Sequence, residues 1–232
     1  MSGAGAVPIG DGVESPGLKK SITGPLSFTQ LNAIAIMIIF AASDLVTLQD
    51  LLLFFFSAIY ILIMSKFAFP ATAVAASNPP KPVFSPSRLF VCYVSLAAVV
   101  GLVFPLVYIF GGIAAGHKAG ILAAAPHVFL LSAQIFWEGV TVNSRRFSLP
   151  TRAFVPIFYN TRRVFTIFDW LETEFSKERA SEPWNNYGRA LAVANLVFWC
   201  FNLFCFLLPV YLPRAFRKYY EEEASVKMVK DK

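Results

Sequence analysis

Apolar residues in this chain come in long unbroken runs. The longest, LFVCYVSLAAVVGLVFPLVYIFGGIAAGH between Arg88 and Lys118, has 29 residues without an Asp, Glu, Lys or Arg. A helix needs about 20 apolar residues to cross the hydrocarbon of a bilayer, and runs of 10–14 are more typical of a soluble core. The pattern predicts five spans, over 28–42, 51–69, 89–113, 121–142 and 191–212. The first is short, ends at Ser43-Asp44, and makes a tight hairpin with the second. Pro105 predicts a kink in the third, its freed carbonyl taken up by a neighbour. Gly112, Gly116 and Gly120 have the spacing that lets helices approach closely, but His117 and Lys118 interrupt it and predict a turn. As the least polar span, 89–113 is expected to be the packing centre of the bundle.

One helical segment has a different period. In AFVPIFYNTRRVFTIFDWLETEF (153–175), Phe154, Ile157, Phe158, Val164, Phe165, Phe168, Leu171 and Phe175 share one face. Arg163 and Glu174 lie opposite, with Asn160 at the margin, while Asp169 and Glu172 intrude towards the apolar side. Arg162-Arg163 at the centre of a spanning helix would cost several kcal/mol, roughly 2.5–3.5 each on insertion scales. The segment is therefore expected to lie in the interface as an amphipathic helix, with Arg162 and Arg163 as an interfacial basic pair, or to cap the cytosolic mouth of the bundle.

Composition agrees with a membrane solvent: 56% of residues are hydrophobic and 15% charged, against about 25% charged in soluble domains. Residues 1–25 lack the apolar core of a signal peptide and read as a disordered tail. Between the second and third spans, Pro70, Pro79, Pro80, Pro82 and Pro86 predict a stiff extended loop in which Pro79 to Pro82 fits PxxP. Residues 214–232 form a charged tail. The fold class is an all-α polytopic membrane protein, with a helical membrane domain over 26–213.

Net charge is +6. Lys and Arg flank spans through the positive-inside bias, and no basic, aromatic-interleaved patch points to nucleic acid. Five spans put 13 of the 20 basic residues on the side of the N-terminus, which is then cytosolic. Arg214, Arg217 and Lys218 conflict with that count: directly after the last span they form a cytosolic flank, which needs an even number of crossings.

Candidate chemistry is sparse. His127, Gln134 and Glu138 stand at i, i+7 and i+11 on one face of the fourth span, and Asn195 and Asn202 at i and i+7 on the fifth. This polar stripe could line a proton or solute path, or fix the bundle by interhelical hydrogen bonds worth about 0.6–2 kcal/mol each. The second use is the commoner one. Two histidines, with no HExxH, P-loop or Gly-x-Ser-x-Gly, supply no catalytic constellation, and no metal or cofactor is expected. Cys92, Cys200 and Cys205 fall in apolar stretches and form no disulfide framework.

LSFTQLNAIAIMIIFAASDLVTLQDLLLFFFSAIYILIMSKFAFP, followed by the Pro-rich loop and PVFSPSR, resembles a plant-restricted family of small multi-pass membrane proteins known only as a domain of unknown function. The likeness runs from Leu26 to about Leu212 and opens on LSFxQLNA. It implies a plant source and a helical membrane protein, and brings no activity, cofactor or catalytic residue. The expectation is a non-enzymatic accessory, scaffold or assembly subunit in an endomembrane (endoplasmic reticulum or secretory pathway) or an organellar membrane. It would work with the lipid bilayer and a membrane-protein partner or a second copy. A small channel or transporter using the polar stripe is the alternative.

Overall fold

The structure, a computed structural model, describes residues 26–72, 83–84, 87–176 and 183–230. The N-terminal tail and the Pro79 to Pro82 motif lie outside the described residues. Every described element is helical: α1 (Phe28–Ala42), α2 (Leu48–Ile63), α3 (Arg88–Ala98), α4 (Phe104–Ala115), α5 (Lys118–Asn143), α6 (Leu149–Ser176), α7 (Pro183–Phe201) and α8 (Leu212–Lys230). Three π-helical stretches join or extend them: Met64–Ala68 after α2, Val99–Val103 between α3 and α4, and Asn202–Tyr211 between α7 and α8.

Local chemistry sets the boundaries. Ser27 caps α1 in a capping box with Gln30, and Thr47 caps α2 by accepting from the Asp50 amide. Gly116 ends α4 in the left-handed conformation (φ 76°), which glycine adopts without steric cost. The turn expected from His117 and Lys118 is there. Among the described residues, four helices are long and apolar enough to cross a membrane: Leu48–Ala68, Arg88–Ala115, Lys118–Asn143 and Trp184–Met228. They match four of the five expected spans, and α1, with 15 residues, is shorter. The molecule is an all-helical protein of membrane type.

The bundle has two ends. At one, Ser148 donates to the Phe69 carbonyl, Phe154 packs on Phe216, and Gly139 faces Gln30. At the other are the Gly116 turn, Leu45 and the Tyr108–Trp184 stack. Helix α6 runs from the first end, at Arg152, to the second, where Glu174 accepts from Tyr108. Its 28 residues cover about 42 Å at 1.5 Å per residue.

Two expectations change. Helix α6 does not lie on the outside of the bundle or across its mouth, but in its middle, wedged between α5 and α7. Its Asn160, Arg163 and Glu174 face is fully buried, while Phe165, Phe168 and Phe175 are exposed. The amphipathic pattern is used inside out because α4, α5 and α7 offer partners for the polar face. The uncharged 89–113 run is not the packing centre: α3 contributes no buried residue, and only 11% of the most apolar window of Arg88–Ala115 is covered.

Candidate functional site: a polar core around Trp199

The polar residues of α5, α6 and α7 converge on Trp199. The Arg163 guanidinium lies over its ring, 4.1 Å from the centroid. The Trp199 indole N–H donates to Asn195 Oδ1 at 3.2 Å, and its carbonyl accepts from Asn160 Nδ2 at 3.1 Å, one turn before the π-helical stretch begins. Asn195 Nδ2 in turn donates to the Leu191 carbonyl. Gly101 makes room for the ring, since a Cβ there would stand 2.5 Å from Trp199 Cζ2.

Arg163 Nη2 donates to Gln134 Oε1, and Gln134 Nε2 donates to Glu138 Oε1 at 2.7 Å. A cation and a carboxylate that do not touch are thus linked through one amide. An arginine can only donate, so Gln134 must turn its oxygen to Arg163 and its amide nitrogen to Glu138. Arg163 and Gln134 are buried, and Glu138 is partly exposed.

His127 has a separate task. Pro105 has no N–H, so the Gly101 carbonyl, four residues earlier, loses its α-helical donor. His127 Nε2 stands 2.9 Å from that carbonyl oxygen. The contact needs the proton on Nε2, and Nδ1, which has no partner among the described residues, is then a bare acceptor. The ring stacks on Trp170 at 6.2 Å. The neighbour expected to take up the carbonyl freed by Pro105 is therefore His127.

The stripe residues serve different neighbours. Gln134 and Glu138 join Arg163, Asn195 holds Trp199, His127 holds Gly101, and Asn202 accepts from Tyr93 of α3 at 2.6 Å. Arg162 and Arg163 point to different partners. Arg162 makes a 3.2 Å ion pair with Asp50 on α2, while Arg163 points inward. Asp50, Asn160 and Glu174 escaped the sequence reading as site residues. The i, i+3, i+14 spacing of Asn160, Arg163 and Glu174 was the available signal, since it places three costly groups on one stripe.

Beside this core, a groove of about 320 Å³ lies between α3, α5 and the π-helical stretch before α8, and Gln134, Glu138, Asn202, Tyr93 and Trp199 line it. No group of three or more His, Cys, Asp or Glu suited to a metal ion occurs among the described residues. No curated protein and no solved structure matches the chain. The family model described as a domain of unknown function, DUF7733, matches residues 26–220, nearly the whole helical chain, and the protein belongs to that family.

Proposed function

We propose that the protein is a multi-pass membrane protein that works without catalysis as an accessory or assembly subunit, engaging its partner through α8. The observation that carries this reading is the helical rod formed by α7, the π-helical stretch and α8, continuous from Pro183 to Lys230. Its 48 residues reach roughly 70 Å, against about 30 Å of hydrocarbon. Phe216 and Tyr219 anchor the base of α8 on Phe69. Along its length the arm carries exposed charge in the pairs Arg217–Glu221 (3.6 Å) and Glu223–Lys227 (3.1 Å).

In this reading α6 crosses the membrane as well, which puts both chain ends on one side and removes the conflict raised by Arg214, Arg217 and Lys218. Lys66, Arg88, Arg145, Arg146, Arg152, Arg214, Arg217 and Lys218 belong to the first end, against Lys118 and Arg189 at the other. The positive-inside bias then makes the first end and the arm cytosolic. An endomembrane of a plant cell, in the endoplasmic reticulum or secretory pathway, is the setting the resemblance and this charge pattern suggest, with an organellar membrane as the other choice.

Purified in mild detergent, the full chain is expected to bring a stoichiometric partner that is lost when residues 220–232 are removed. A full chain that purifies alone sinks the reading. The channel or transporter alternative draws on Gln134, Glu138 and Asn202 facing the groove. Proton or ion flux in reconstituted vesicles that falls in Glu138→Gln would favour it instead.

A further inference from the structure

The groove beside the polar core has a floor and a wall of different chemistry. Glu138 is the acidic group among its lining residues. Glu138 Oε1 is held by Gln134, while its other oxygen has no hydrogen-bond partner among the described residues. Phe90, Leu102 and Phe206 form apolar wall. A second recess of about 310 Å³ continues the groove outward and shares Phe84, Phe90, Tyr93 and Phe206 with it. Leu89, Val91 and Val94 beside the opening are exposed, so in a bilayer this flank faces lipid. At the basic end of the groove Arg152, 8% exposed, donates through Nη2 to the Ser144 carbonyl, and its Nε has no partner among the described residues.

We propose that this groove binds one membrane lipid with a hydroxyl-bearing, uncharged head group. The hydroxyl donates to Glu138, and the apolar body lies against Phe90, Leu102 and Phe206. Charge decides the class of head. Arg163 and Glu138, linked through Gln134, already form a neutral set in a buried place. A phosphate would bring a second anion beside Glu138, an ammonium would add a cation beside Arg163, and Arg152 at the basic end is already offset by the Glu222 carboxylate. A hydroxyl adds no charge and supplies the donor that the carboxylate lacks. The two recesses suit the head and upper chains of a single lipid, the chain ends lying in the bilayer. The Tyr93–Asn202 hydrogen bond ties α3 across the groove, so its lipid-facing wall is held in place without burial.

The proposal rests on the membrane reading and goes beyond the partner reading. The test is native mass spectrometry of the full chain in detergent with three probes of equal chain length: dioleoylglycerol, its O-methyl ether and dioleoyl phosphatidic acid. Dioleoylglycerol is expected to be retained at one per chain. The ether, which cannot donate, should bind about tenfold more weakly, the effect of one hydrogen bond to a charged group. Glu138→Gln keeps an acceptor and should keep binding, whereas Glu138→Leu should lose it about tenfold. Ala98→Trp, at an exposed position that lines the groove, should remove binding without altering the melting temperature by more than a few degrees, and it keeps the test decisive if Glu138→Leu does not fold. Equal retention of all three lipids, preference for phosphatidic acid, or unchanged binding in Ala98→Trp each overturns the proposal. A well-folded chain that needs detergent for extraction yet retains none of the probes overturns the groove reading and leaves the membrane reading standing.

Discussion

Helices α3 and α6 occupy opposite places from those a soluble protein would give them. Helix α3 opens the longest uncharged run in the chain and lies at the edge. Helix α6 carries two adjacent arginines, yet supplies Tyr159, Arg163 and Trp170 to the most deeply buried part of the molecule. In water, apolarity drives a segment inward. In lipid, burying Leu against Leu gains little because the acyl chains are equally apolar, and the penalty falls on exposing Arg, Asn or Glu. Polar content, not apolarity, therefore selects the centre. Helix α5 is the intermediate case: apolar enough to cross, with 67% of its most apolar window covered, and polar on the face that meets α6.

The comparison breaks first on whether α6 crosses, an all-or-none outcome. Glycosylation acceptors carried on short linkers after Asn143, between Ser176 and Pro183, and after Lys232 should be modified in microsomes at the middle position only. An interfacial α6 would leave the first two positions in the same state, and modification after Lys232 would restore an odd number of crossings.

Next in size is the polar core itself. Arg163→Leu should destabilise the protein in detergent by about 3–5 kcal/mol, because it leaves Gln134 and Glu138 without their cation in a covered site. Adding Glu138→Gln should recover much of that loss, since the charge left without its partner is also removed. Leu89→Ala on the exposed face of α3 should stay within about 0.5 kcal/mol, by thermal unfolding in the same detergent. Similar losses for Arg163→Leu and Leu89→Ala would mean that α3 and α6 do not differ in this way.

Most helix extents were legible in the sequence, but the continuation of the last span through Leu212–Lys230, where a charged tail was expected, was not. The expected segments 28–42 and 153–175 match α1 and lie within α6, and the turn at Gly116 followed from His117 and Lys118. The direction of α6's polar face was not legible. Arg162-Arg163 read as too costly for a span because the partners, Asp50 112 residues away and Gln134 29 residues away, are long-range contacts that no local pattern contains. The stripe His127, Gln134, Glu138, Asn195 and Asn202 was visible as periodicity. Its division among a carbonyl, an arginine, an indole and a tyrosine depends on how the helices pack. The π-helical stretch at Asn202–Tyr211 left no period that could be read at all.

A smaller effect than that of Arg163→Leu concerns the point where the peripheral run is pinned to the core. His127→Ala should cost about 2–3 kcal/mol, partly from lost packing on Trp170 and partly from the orphaned Gly101 carbonyl. Pro105→Ala restores an N–H at the position that can serve that carbonyl in α-helical register. In the Pro105→Ala background, His127→Ala should therefore lose only its packing share, and the two substitutions should show a coupling of about 1 kcal/mol in a double-mutant cycle. Additive effects would mean that His127 holds its neighbours by ring packing alone, and that the run of α3 and α4 is joined to the polar centre by the Tyr93–Asn202 and Tyr108–Glu174 hydrogen bonds and by aromatic contacts such as Tyr108 on Trp170.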